Sequence, residues 1–246
     1  MKAFLIALQF LTRLPVRLRN APSASELGRS LLFYPLVGLL IGALLALLAA
    51  AFSAGGIPDL LGAALVLAAW VLITGGLHLD GLADSADAWV GGRGERERTL
   101  AIMKDPYCGP MAVTTLVVIL LVKFGALAAL LSCGKGWAVA LAPVLGRAAL
   151  PLLFLTTPYV RPGGLGSPLS AQRHRKTAAA IVIATGGGVV ACFGWAGFAA
   201  VMAGMSVFML LRRMMVATLG GSTGDTAGAL VEVVESVAIV VMASVV

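Results

Sequence analysis

Long apolar runs, separated by short neutral turns or by longer basic stretches, follow one another along this chain. Seven of them reach or approach the ~20 residues that a helix needs to cross a hydrocarbon core. They cover about 31–54, 58–77, 110–132, 137–157, 178–195, 197–211 and 226–246. The stretch 178–211 reads either as one overlong helix or as a hairpin turning near Gly194–Gly197. Only the hairpin returns Arg212 and Arg213 to the side of the other basic segments, so the hairpin is expected. The first residues, MKAFLIALQFLTRLPV, resemble a secretion signal, but Thr12, Arg13 and Pro15 cut the run short and no A-x-A site follows. They read as an interfacial or half-inserted segment.

Composition sharpens the class. The chain of 246 residues is 60% hydrophobic and 12% charged, against about 25% charged in ordinary soluble domains. The strand alternation of a membrane β-barrel is absent. The expectation is an all-α, multi-pass integral membrane bundle, with about seven spans in one domain over 1–246. A homo-oligomer is left open.

Charge changes the picture again. The net charge of +7 would suggest nucleic acid in a soluble protein. Here the loops account for it. The connections 55–57 and 133–136 are short and nearly uncharged. Those at 12–30, 78–109 and 158–177 hold Arg13, Arg17, Arg19, Arg29, Arg93, Arg96, Arg98, Lys104, Arg161, Arg173, Arg175 and Lys176. That alternation is the positive-inside pattern, which is expected to place the long loops in the cytoplasm, with no nucleic-acid partner. Cys108, Cys133 and Cys192 are far apart and support neither a disulfide framework nor a zinc site.

Of only eleven acidic residues, Asp80, Asp84, Asp87, Glu95, Glu97 and Asp105 share one basic stretch, while Asp225, Glu232 and Glu235 lie in or beside the last span. In HLDGLADSAD the spacing i, i+4, i+7 gathers Asp80, Asp84 and Asp87 within roughly 60° of one helical face. An amphipathic helix with a solvated acid face would also show this spacing. However, an acidic face suits an anionic leaflet poorly, and Gly81, Ala83, Ser85, Ala86 and Ala88 leave room for a ligand. The following GGRGERER and MKD add cations. Carboxylates beside Arg and Lys suit a hard divalent cation with phosphate.

Glu232 and Glu235 sit where an acidic residue costs about 2.5–3.5 kcal/mol on insertion scales, so they should face the interior and meet a cation, a metal-bound water or protons. The alternative is a helix that starts later, with the pair among headgroups. Arg147 is expected to pair with a buried acid or a phosphate, and Lys123 to snorkel. His78 reads equally as a ligand, a base or a structural histidine, and His174 as solvated. The glycines at 186–188 suit helix packing.

GGLHLDGLADSADAW followed by GGRGERERTLAIMKD resembles the central signature of the cobalamin synthase family, the adenosylcobinamide-GDP ribazoletransferases. FLIALQFLTRLPV and FYPLVGLLIGALL resemble that family's opening, and GGSTGDTAGALVEVVE its C-terminal motif. After MKD the family runs Ser-Arg-Ile-Gly, then an aromatic residue and Gly. This chain reads PYCGPMAV, so only Gly109 matches, and Arg93, Arg96 or Arg98 is left to replace the missing arginine.

The resemblance implies a Mg2+-dependent transfer at phosphorus between adenosylcobinamide-GDP and α-ribazole, or its 5′-phosphate, with release of GMP. Under it, Asp80, Asp84 and Asp87 take the metal, and Asp225 and Glu232 complete that site or act as general base. Lys104, Arg93 and Arg98 hold the diphosphate, with His78 also at the substrate. Two rivals remain. CDP-alcohol phosphotransferases share Asp-Gly-x-x-Ala and Mg2+, but continue with Arg where this chain has Asp84, and their later Asp-x-x-x-Asp pair is missing. A cation transporter explains acids within spans but leaves the adjoining Arg and Lys without a purpose.

Overall fold

The computed structural model describes residues 1–18, 20–161, 163–164, 166–170 and 174–245, so Arg19 and Arg173 lie outside the described residues. The chain folds into α1 (Lys2–Leu11), α2 (Ala24–Ser30), α3 (Tyr34–Ala54), α4 (Asp59–Thr74), α5 (Leu77–Gly92), α6 (Arg96–Ile102), α7 (Pro110–Ser132), α8 (Leu141–Thr156), α9 (Ser167–Ser170), α10 (Arg175–Leu219) and α11 (Gly224–Val245). The only β pairing among the described residues is an isolated bridge between Tyr159 and Ser222. An all-α membrane bundle is therefore what the chain forms. Its outer helix faces carry large exposed apolar side chains, such as Leu47, Leu72, Leu121 and Leu210, as a lipid-facing surface requires.

Among the described residues, five helices are long and apolar enough to cross a membrane, or six if α4 and α5 count together as one broken span. The expected span at 58–77 is corrected here. Helix α4 has 16 residues, about 24 Å of rise against a core of ~30 Å. It stops at Gly75 and Gly76, with φ of 65° and 68°. Two consecutive left-handed residues are open to glycine at little cost, and they turn the chain by 88° into α5. The acid-rich segment is thus a helix of its own, lying across the end of the bundle.

Helix α10 spans 45 residues but breaks at Gly194, with φ 58° and ψ −133°. Arg175 Nη2 donates to the Leu155 carbonyl at 2.8 Å and Arg212 Nη2 to the Thr156 carbonyl at 2.6 Å. A straight helix would separate those two arginines by about 55 Å, so α10 is a hairpin whose ends return to one side. With its arms taken apart, all seven expected apolar stretches are helical. Only 58–77 fails to be a span of its own.

Helix α8 is the most enclosed span: Arg147 at its middle is 0% exposed, and Leu141, Leu150 and Leu153 are buried around it. Helices α3, α10 and α11 all pack against it. This arrangement brings the starts of α7 and α11, the end of α10 and the whole of α5 together at one end of the bundle.

Candidate active site

The site is built where α5 crosses the start of α11. A Cβ on Gly81 would lie 2.7 Å from the Asp225 carbonyl oxygen, so only glycine lets the two helices meet there. Thr223 and Thr226 exchange hydrogen bonds at the head of α11: the Thr223 amide donates to Thr226 Oγ1 at 2.9 Å and the Thr226 amide to Thr223 Oγ1 at 3.2 Å. This reciprocal cap satisfies the free first-turn amides and presents Asp225 at the positive end of the helix. The bridge between Tyr159 and Ser222 draws the 158–161 segment alongside. Arg161 Nη1 then donates to Asp225 Oδ2 at 2.8 Å.

The three carboxylates of α5 share one helix as expected but not one environment. Partial burial, then the charges of Asp80 and Asp225, push the Asp84 carboxyl up from 3.8 to about 6. Asp87 is engaged elsewhere. Its Oδ2 accepts from the Gly109 amide at 2.6 Å and its Oδ1 from the Ala112 amide at 3.0 Å. Asp87 therefore caps α7, a structural use of a carboxylate that i, i+4, i+7 spacing does not reveal. Asp80 and Asp225 are the acids that act most strongly on Asp84 at the helix crossing, with a smaller push from Asp87.

No three His, Cys, Asp or Glu side chains among the described residues stand close enough to form a closed metal cage. The donor set around the crossing is nevertheless all oxygen and mutually repulsive, which fits a hard cation. Mg2+ characteristically takes one or two carboxylates and fills its shell with substrate phosphate and water.

Cations surround these acids in two cavities. One, of about 450 Å³, is lined by Lys104, Tyr159, Arg161 and Asp225. The other, of about 520 Å³, is lined by Arg13, Asp80, Asp84, Tyr107 and Cys108. Lys104 thus lines the same cavity as Asp225. Arg93 and Arg98 are exposed and line neither cavity. Arg93 is instead the left-handed cap of α5, with φ 52°, and its neighbour Arg96 donates to the Leu219 carbonyl at 2.8 Å. The arginines that do line the two cavities are Arg161 and Arg13. In the sequence both sit far from the acid motif. Their only signal was a basic residue beside a Gly- or Pro-rich loop.

Glu232 also departs from expectation. Lys123 Nζ donates to Glu232 Oε2 at 2.5 Å and to Glu235 Oε2 at 2.8 Å, and it lies 4.4 Å from the Trp70 ring centroid. Arg147 completes the cluster through Glu235. Both acids meet cations, as their place in the last span demands, but Glu232 is spent on Lys123. Lys123 is buried rather than snorkelling. Arg147 Nη2 further contacts His78 Nδ1 at 3.5 Å. Because a guanidinium only donates, that contact leaves the His78 proton on Nε2.

Fold and site together define a multi-pass membrane enzyme with a charged site at one end of the bundle, acids at a helix crossing and cations around them. The family model for cobalamin-5-phosphate synthase matches residues 3–243, and the chain belongs to that family. It is 55% identical over 243 residues, 99% of this chain and 98% of the relative, to the adenosylcobinamide-GDP ribazoletransferase of Pseudomonas aeruginosa. It is 57% identical over 239 residues, 96% of each chain, to the protein of that name from Pseudomonas fluorescens. The one from Pseudomonas putida is 56% identical over 238 residues, again 96% of each chain. No solved structure matches the chain.

Proposed function

We propose that the chain joins adenosylcobinamide-GDP to α-ribazole, or to its 5′-phosphate, releasing GMP and forming adenosylcobalamin or its 5′-phosphate. The observation that carries this reading is Asp225 at the crossing of α5 and α11, paired with Arg161 and sharing a cavity with Lys104, while Asp80 and Asp84 of the crossing helix line a second cavity, in a chain whose relatives bear that name. A ribose hydroxyl oxygen bonds to the cobinamide-linked phosphorus, the bond from that phosphorus to the bridging oxygen breaks, and GMP leaves with the electron pair. Asp225 takes the hydroxyl proton through the oxygen not held by Arg161. Lys104 and Arg161 bind the diphosphate and offset the charge that grows on the departing phosphate.

Asp80 and Asp84, with Asp225 at their edge, would hold Mg2+, which supplies charge neutralisation at the phosphoryl oxygens. Asp87 stays with α7 and Glu232 with Lys123, and neither enters the reaction.

The same reading places the site on the cytoplasmic side of a bacterial inner membrane. Arg13, Lys104, Arg161, Arg175 and Arg212 lie at its end of the bundle, against Lys135 in the turn after α7 at the opposite end. The test is GMP release by the purified protein in lipid. Release that requires both substrates and Mg2+ is expected. Release from adenosylcobinamide-GDP alone, or none from folded protein, would contradict the reading.

A further inference from the structure

A third cavity opens on the bundle side of the same carboxylates, and its chemistry differs from the other two. It measures about 120 Å³ and is lined mainly by apolar and aromatic side chains, among them Phe10, Tyr34, Leu150 and Phe154. Asp80 and Asp225 also line it, together with His78. Tyr34 is 1% exposed and Phe154 6%. The rings of Phe10 and Tyr34 stack with centroids 6.2 Å apart and planes 21° from parallel. Helices α1, α3, α5, α8 and α11 contribute most of the walls, and Gly166 and Leu169 of the connection between α8 and α10 close the remainder.

Size and lining select the occupant. An apolar cavity of about 150 Å³ is enough for one benzene molecule. At about 120 Å³ this one takes no more than one six-membered ring, so the rest of a fused ring system and its polar end would emerge beside the carboxylates. A corrin macrocycle is far too large to enter. Guanine carries donors and acceptors around its edge, which phenylalanine and leucine walls would leave unpaired. Among the bulky parts of the two substrates, a benzimidazole alone is both flat and apolar.

Resting on the function proposed above, we infer that this cavity seats the methyl-bearing six-membered ring of the ribazole base and so sets its ribose hydroxyl at the end formed by Asp80 and Asp225. The two substrates then approach the helix crossing from different sides. The base comes from the apolar interior, and the diphosphate comes from the cavity of Lys104 and Arg161. Base selectivity belongs to α1, α3 and α8, and phosphate binding to the 104 and 161 loops.

The test measures KM for both substrates by GMP release in lipid, with α-ribazole analogues lacking one or both ring methyls. Each methyl removed from a filled apolar seat should raise the ribazole KM about fourfold, with the adenosylcobinamide-GDP KM unmoved. Leu150→Phe, which puts a ring into the cavity, should raise the ribazole KM about tenfold or more and leave the other KM within about twofold. Phe10→Ala, on a short terminal helix, provides a second variant should Leu150→Phe fail to accumulate. It should accept bulkier bases than the unchanged protein.

A ribazole KM indifferent to the base, or a Leu150→Phe effect confined to adenosylcobinamide-GDP, would overturn the assignment while leaving the transferase intact. Absence of GMP release from the unchanged protein would overturn the transferase reading, and this inference with it.

Discussion

At the scale of single residues, some charges are satisfied by a partner in the protein and others are left for a ligand. Asp84 belongs to the second group. Its folded pKa, raised to about 6 from 3.8, means that the folded protein holds this proton more tightly than the unfolded chain. Its stabilising effect is therefore complete below pH 3.8 and is lost as pH rises through about 6. Metal-free protein should show a thermal midpoint that falls over this window, by less than the full shift implies because the group is partly solvated. Added Mg2+ should flatten the dependence. A midpoint that ignores both pH and Mg2+ would speak against Asp84 in a cation site. The interior cluster belongs to the first group. Lys123→Met strands Glu232 in the bundle and should cost about 3–5 kcal/mol, whereas the pair Lys123→Met with Glu232→Gln should cost much less. Thermal unfolding in detergent distinguishes the two, and equal losses would mean that the ion pair is not what the lysine provides.

At the scale of elements, the helix crossing of α5 and α11 is the joint on which the site depends. Gly81→Ala would push a Cβ to 2.7 Å from the Asp225 carbonyl. It should therefore cut GMP release by about a hundredfold, since a displacement of ~1 Å at a reacting group costs that much. The expected companion is unchanged membrane insertion and yield. Full activity in Gly81→Ala would show that α5 and α11 need not touch. Most of the elements were legible in the chain, because apolar runs of span length and their basic flanks report helices and sides directly. The acid-rich helix was legible too, from its i, i+4, i+7 spacing. The right-angle turn before it was not. GG reads as a packing or loop signal, and nothing local says that both residues will be left-handed. Nor could spacing show that Asp87 faces the amides of α7 while Asp84 faces Asp225, since that depends on where α7 and α11 come to rest. Glu232 was misplaced for the same reason: its need for a partner was clear from hydropathy, but the partner, Lys123, lies 109 residues away.

At the scale of the whole molecule, orientation and chemistry can be read with the protein's own cysteines. Cys108 precedes α7 beside the site cavity and Cys133 follows it, both exposed, with about 35 Å of helix between them. A membrane-impermeant thiol reagent should label Cys133 in cells with a permeabilised outer membrane, and Cys108 only after the inner membrane is opened. The reverse pattern would invert the topology. The bundle as a whole presents acids, cations and an apolar cavity at one end; under the proposed orientation that end faces the cytoplasm, where a soluble nucleotide substrate need not cross the membrane to react. The central claim is that the helix crossing is the place of transfer, and its most direct measurement is GMP release by Asp225→Asn in lipid, given adenosylcobinamide-GDP, α-ribazole and Mg2+. A fall of about 10²–10⁴-fold in kcat is expected, with binding of adenosylcobinamide-GDP retained. Turnover equal to that of the unchanged protein would contradict it.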